Sequence, residues 1–117
     1  MEFRSPLAAY LHNGCVQWLV NAQNEDGGWG AEPGVVSSTE ETALALESLA
    51  FAHDSNVASH AAAVNRGARW LIARVESGAW REPSPIGFYF AKLWYFERLY
   101  PLIFTVGALR AVSELED

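Results

Sequence analysis

The chain has 117 residues, half of them hydrophobic and 19% charged, which excludes a disordered segment and fits one small domain or a piece of a larger one. Eight Lys+Arg against fourteen Asp+Glu give a net charge of −6, the wrong balance for a nucleic-acid partner, whose phosphates need a basic face. The longest apolar stretch, Leu99 to Leu109, is too short for a membrane span of about 20 residues, Met1 to Ser5 leads into no secretory core, and a lone Cys15 excludes an internal disulfide or a cysteine-rich zinc site, so a cytoplasmic location is expected.

Leu7 to Ala22 reads as a helix, with Leu7, Leu11, Val16, Leu19 and Val20 near helical spacing. It runs into Asn24-Glu25-Asp26-Gly27-Gly28, strong turn chemistry, and Gly30 to Ser37 is irregular. Ser38 with Glu41 three residues on has capping-box spacing, which starts a second helix from Thr39 to His53 with Ala43, Leu46, Leu49 and Ala50 on one face. A loop at Asp54-Ser55-Asn56 precedes a third helical region, expected to break near Gly67 and to end around Glu76, with Ser77-Gly78 as its terminator. Pro83 and Pro85 keep the next stretch extended. Phe88 to Leu99 is expected to be helical. Pro101 suits the first turn of a last helix that repeats Leu102, Val106 and Leu109 at i, i+4 and i+7. No segment alternates with a period of two, so the expected class is all-α.

An internal repeat underlies this order. Gly14-Cys15-Val16-Gln17-Trp18-Leu19-Val20 reappears as Gly67-Ala68-Arg69-Trp70-Leu71-Ile72, and each copy is followed by a turn and a second tryptophan: Gly27-Gly28-Trp29, then Gly78-Ala79-Trp80. Trp18 and Trp70 lie 52 positions apart, Trp29 and Trp80 lie 51 apart. The unit is a helix, a tryptophan-closed turn and a second helix, and such hairpins bury their faces by stacking on neighbours. Two units seldom make a complete core, which points to a part of something longer.

The first copy carries Gln23 and then Gly27 and Trp29 in a Gln-x3-Gly-x-Trp pattern. It resembles the QW repeat of the squalene–hopene cyclase and oxidosqualene cyclase family. In that pattern the Gln side chain is expected to bond orphan backbone groups at the helix end, the indole to stack on its amide, and Gly to supply the turn. The second copy is degenerate: counted from the turn, Arg74 takes the Gln place, and counted from the helix, Val75 does. Two further segments resemble the family in order: Gly28-Trp29-Gly30 with Ser38 to Leu46, and Gly87-Phe88-Tyr89 with Tyr95 to Leu102 and Ala108-Leu109-Arg110. The resemblance covers roughly Leu7 to Val112. It implies a single domain over residues 1–117, part of an α/α toroid, with QW-type repeats near 14–29 and 66–80 whose structural residues are Trp18, Gln23, Gly27, Trp29, Trp70, Gly78 and Trp80.

The family's chemistry is a cation-initiated polycyclisation of an isoprenoid such as squalene. An Asp-x-Asp-Asp motif supplies the acid, and aromatic faces stabilise the migrating cation. Neither a cofactor nor a metal is implied for that initiation. The only aspartates here are Asp26, Asp54 and Asp117, so the acid motif is missing and the chain alone is expected to be inactive. Glu40-Glu41-Thr42-Ala43 is only superficially similar, because two carboxylates at a helix N-terminus are favoured by the dipole. Seven of the fifteen aromatics fall between Phe88 and Tyr100. By resemblance, Phe88, Tyr89, Phe90, Tyr95 and Phe96 line the substrate cavity; one extra residue before Tyr100-Pro101 makes the roles of Tyr95 and Phe96 depend on register. His12, His53 and His60 lack metal-ligand spacing, and Cys15 is expected to be a buried helix-face thiol.

Two readings of function follow. In the first, the chain is the C-terminal part of a triterpene cyclase, meeting an isoprenoid when joined to the rest of the enzyme, with squalene, a shorter prenyl chain or a diphosphate all open as substrate. In the second, it is a free-standing non-catalytic helical module that binds a partner or an isoprenoid. A half-toroid exposes an apolar face, so self-association or a complementary helical partner is expected in either. Contact with a membrane surface is a family expectation that no basic amphipathic helix in this sequence supports.

Overall fold

The computed structural model describes residues 5–79, 86–87, 94–95 and 99–115. The elements in order are α1 (Pro6–Ala22), α2 (Thr39–Phe51), α3 (His60–Ser77), β1 (Ile86–Gly87), β2 (Trp94–Tyr95) and α4 (Leu99–Glu114). The class is all-α, apart from a two-residue antiparallel ladder that pairs Ile86 with Tyr95 and Gly87 with Trp94.

Helix α2 is the centre. Ser38 caps it, its Oγ accepting from Glu41 N–H at 3.2 Å, as the capping-box spacing predicts. The expected face of Ala43, Leu46, Leu49 and Ala50 is fully buried, and Thr39, Thr42 and Ala45 are buried as well. Burial on more than one side follows from position: α2 packs most extensively against α4, then against α3. The core gathers Leu46, Leu49, Trp29, Val64, Leu71 and Ala108 around it. Helix α1 lies at the margin and gives only Val16 and Ala22 to that core. Its own start is well made, with Pro6 in the first turn and Ser5 Oγ accepting from Ala8 N–H at 3.1 Å.

Three expectations are corrected. Helix α3 is unbroken through Gly67; the glycine there makes room for a neighbour and leaves the helical backbone intact. Trp94 and Tyr95, expected in a helix from Phe88 to Leu99, pair as a strand instead, in keeping with the strand preference of aromatic side chains; Leu99 opens α4, and residues 88–93 and 96–98 lie outside the described residues. Cys15 is exposed because α1 turns only a narrow stripe inward. Gly78, the expected terminator, caps α3 in the left-handed conformation at φ 79°, with its N–H on Val75 O.

Candidate functional site

The residues with the most convergent geometry are those of the first tryptophan-closed turn. Gln23 is the C-cap of α1, and its Nε2 donates to Gly27 O at 2.8 Å and to Ala63 O at 3.0 Å. One amide thus closes the turn and fastens it to α3. The orphan carbonyl of α1 is met differently: Trp29 Nε1 donates to Leu19 O at 2.8 Å. The division of labour is the reverse of the expected one, with the indole serving the helix end and the Gln amide serving the turn and the neighbouring helix.

Trp29 is held from both sides. Its N–H donates to Thr42 Oγ1 at 2.9 Å, and the same hydroxyl donates back to Trp29 O at 3.2 Å. Its ring is 3% exposed and lies on Gly67, where an added Cβ would stand 2.8 Å from Trp29 Cζ3. Gly27 has φ 97°, and a Cβ there would be 2.8 Å from Arg66 O. Glycine thus supplies a left-handed backbone at Gly27 and a close approach at Gly67, and Gly28 and Gly30 are also too crowded for a Cβ.

Asp26, Asn24 and Arg66 complete the arrangement. Asp26 Oδ1 accepts from Gly28 N–H at 2.9 Å and from Ser37 Oγ at 2.7 Å, and its Oδ2 accepts from Trp70 Nε1 at 3.1 Å. Partial desolvation pushes this carboxyl up, but the donors from Gly28, Ser37 and Trp70 together outweigh it and hold the group below its ordinary value. Arg66 Nη2 donates to Asn24 O at 3.2 Å and to Glu25 O at 2.7 Å, while Asn24 Nδ2 reaches Val35 O and Ser37 Oγ. Sequence reasoning placed Asp26 in the turn without giving it a role, and missed Arg66 and Thr42 as partners of the turn. Asp26-Gly27-Gly28 carried a signal for a side chain that bonds its own turn; Arg66 carried none, since its partners are carbonyls.

Trp70 is half-buried, with Arg74 stacked over its ring at 5.2 Å, and Arg74 Nε donates to Thr39 Oγ1 at 3.2 Å. Arg74, one of the two candidates for the second Gln place, thus ties α3 to α2, whereas the other, Val75, is exposed. Trp80 lies outside the described residues. Trp18 is 57% exposed. Of the five proposed cavity aromatics, Phe88, Tyr89, Phe90 and Phe96 lie outside the described residues, and Tyr95 is placed by its backbone alone, opposite Ile86 in β2.

Nothing in the turn resembles an acid or nucleophile poised for chemistry. Glu40 is buried and Glu41 exposed in the first turn of α2. His60 is buried, its Nε2 2.7 Å from Leu49 O. No group of three metal-binding side chains occurs among the described residues, and none of the described helices is long and apolar enough to cross a membrane.

Residues 4–114 match the family model described as squalene-hopene cyclase C-terminal domain. The chain is similar to the squalene–hopene cyclase of Zymomonas mobilis, 32% identical over 105 residues, covering 74% of this chain and 15% of that protein. It therefore spans about 15% of the length of the curated relative it matches. No solved structure matches it.

Proposed function

The chain belongs to the squalene–hopene cyclase C-terminal domain family, and from that premise we propose that it forms the C-terminal part of a triterpene cyclase acting on an isoprenoid such as squalene. The family match over residues 4–114 carries this reading. The turn built on Gln23, Asp26 and Trp29 supports it as the scaffold, because it locks α1, α2 and α3 into one unit on which an aromatic wall can be held.

In this reading the chain's task is positioning and cation stabilisation. The acid that protonates the terminal alkene comes from residues outside this chain, which has no Asp-x-Asp-Asp run. Phe88, Tyr89, Phe90, Tyr95 and Phe96 present ring faces to the late cationic intermediates, each contributing about 2 kcal/mol where water is excluded. The rings hold the cation without reacting with it, and the final proton is lost to a base or water. An apolar substrate that partitions into bilayers draws the assembled enzyme to a membrane surface.

The test is complementation. Co-expression with the complementary upstream part of a family cyclase should give cyclised triterpene from squalene, and Phe88→Ala or Tyr89→Ala should slow it about thirtyfold, the rate equivalent of about 2 kcal/mol. A folded pair that converts no isoprenoid would overturn the proposal. The exposed face of α1 favours a second reading, a non-catalytic docking module, which predicts partner binding with no turnover in any pairing.

A further inference from the structure

Glu47 Oε2 stands over Gly107, and one turn further on Ala50 and Phe51 share a cleft with Ala111, Glu114 and Leu115. Helices α2 and α4 are therefore parallel, and their C-terminal ends converge on that cleft. Converging C-termini gather unsatisfied carbonyls and the negative ends of two helix dipoles. Basic side chains commonly answer such ends, yet neither last turn contains one. Helix α4 closes on Glu114 instead, whose carboxylate has only the exposed Arg110 at 3.6 Å, a contact that solvent weakens. The one element end of opposite sign at the cleft is the start of α3, and two C-termini and a carboxylate stand against it.

His60, the first residue of α3, is 9% exposed and lines the same cleft. Leu49 O, 2.7 Å from its Nε2, can only accept, so Nε2 carries the proton. Nδ1 is left as the ring's acceptor, and no hydrogen bond to it occurs among the described residues. Neither the core nor the tryptophan-closed turn uses this nitrogen. Around it Phe51, Val64 and Leu115 supply apolar walls, and the exposed His53 and Asn65 complete the rim. The cleft measures about 930 Å³, within the range of small-molecule sites.

We propose that this cleft binds a free amphiphilic amine as its ammonium ion. One N–H donates to His60 Nδ1, the positive charge lies between Glu114 and the carbonyl ends of α2 and α4, and the alkyl body covers Phe51, Val64 and Leu115. The charge distribution selects the headgroup: a carboxylate or phosphate meets repulsion, and an alcohol satisfies one acceptor while gaining little from the helix ends. The apolar walls select the tail, because a cleft of this volume takes more than the four carbons of a lysine side chain. The inference uses none of the proposed cavity aromatics and stands whether or not the chain takes part in cyclisation.

The test is an NMR titration of the isotope-labelled 117-residue chain with hexylamine, 1-hexanol and hexanoate at neutral pH, three probes with one tail and different heads. NMR shifts register millimolar complexes, so short probes suffice. Hexylamine should shift amides 50–53, 60–65 and 111–115 with a Kd of about 5 mM. The alcohol should bind about tenfold more weakly, and hexanoate should leave those amides unmoved. Glu114→Lys, at a helix end that favours a cation and so keeps the urea midpoint of the parent chain, should weaken hexylamine about fivefold and leave the alcohol unchanged. Ala61→Phe, at an exposed position on the cleft, should abolish both responses. Absence of shifts at these amides with about 20 mM hexylamine, or equal responses to the three probes, overturns the proposal. So does equal binding of Nα-acetyl-lysine amide, which would make the occupant a protein side chain.

Discussion

Two helices that share a sequence phrase have opposite fates in this molecule. On α3 the glycine receives a buried indole, the tryptophan donates to a carboxylate, and Arg66 beside them grips two turn carbonyls. On α1 the glycine faces open space and the tryptophan is exposed. The position three residues before the tryptophan is Gly67 on α3 and Cys15 on α1, and the neighbour differs as well. On α3 the turn of residues 24–29 supplies the other half of the contact.

The largest effect should separate the two tryptophan classes. Trp29→Ala removes a buried ring, its bond to Leu19 O and the filling of the Gly67 seat, and should cost about 3–5 kcal/mol in urea unfolding, a large share of a small domain's stability. Trp18→Ala, at an exposed position, should cost under about 1 kcal/mol. Comparable losses would erase the distinction drawn between α1 and α3.

Next come the two residues counted into the Gln place. Gln23→Ala deletes two donated hydrogen bonds, one of them to α3, and should cost about 1–2 kcal/mol. Arg74→Ala loses one bond to Thr39 and a ring contact near the surface, and about 0.5–1 kcal/mol is expected. Thermal melts of the two variants side by side would reveal whether the second copy's tie equals the first.

A smaller effect is a pH dependence at Asp26. Its carboxyl is held below the ordinary value in the folded chain, so its contribution is present above the unfolded value of about 3.9 and is lost as pH falls through the lower folded value. Acid titration of stability should therefore be shallower in Asp26→Asn than in the parent chain, with the curves parallel above about pH 5. Identical acid limbs would show that Trp70, Ser37 and Gly28 do not discriminate between the charged and neutral forms.

Much of this was legible in the sequence where cause and effect lie within a few residues of each other. The Ser38 cap, the buried face of α2, the Gly78 stop and the Gln23-to-Trp29 turn all depend on local spacing. The family resemblance likewise followed ordered motifs that the match over residues 4–114 bears out. What stayed hidden is what depends on a distant partner. Arg66 bonds carbonyls some forty residues away, which no side-chain pattern announces. Gly67 looked like a helix breaker because a glycine at a close approach and a glycine at a break are the same letter. Cys15 looked buried because periodicity marks a stripe without saying how wide it is, and α1 turned out marginal.

The sharpest test of the account is the paired substitution of the two glycines, followed by urea unfolding. Gly67→Ala drives a methyl to 2.8 Å from the Trp29 ring and should destabilise by about 1–3 kcal/mol despite the better helix propensity of alanine. Gly14→Ala meets nothing within 4 Å and should stabilise by about 0.5–1 kcal/mol. Opposite signs are the predicted result; shifts of the same sign would contradict the claim that Gly67 is a close approach to Trp29 while Gly14 faces open space.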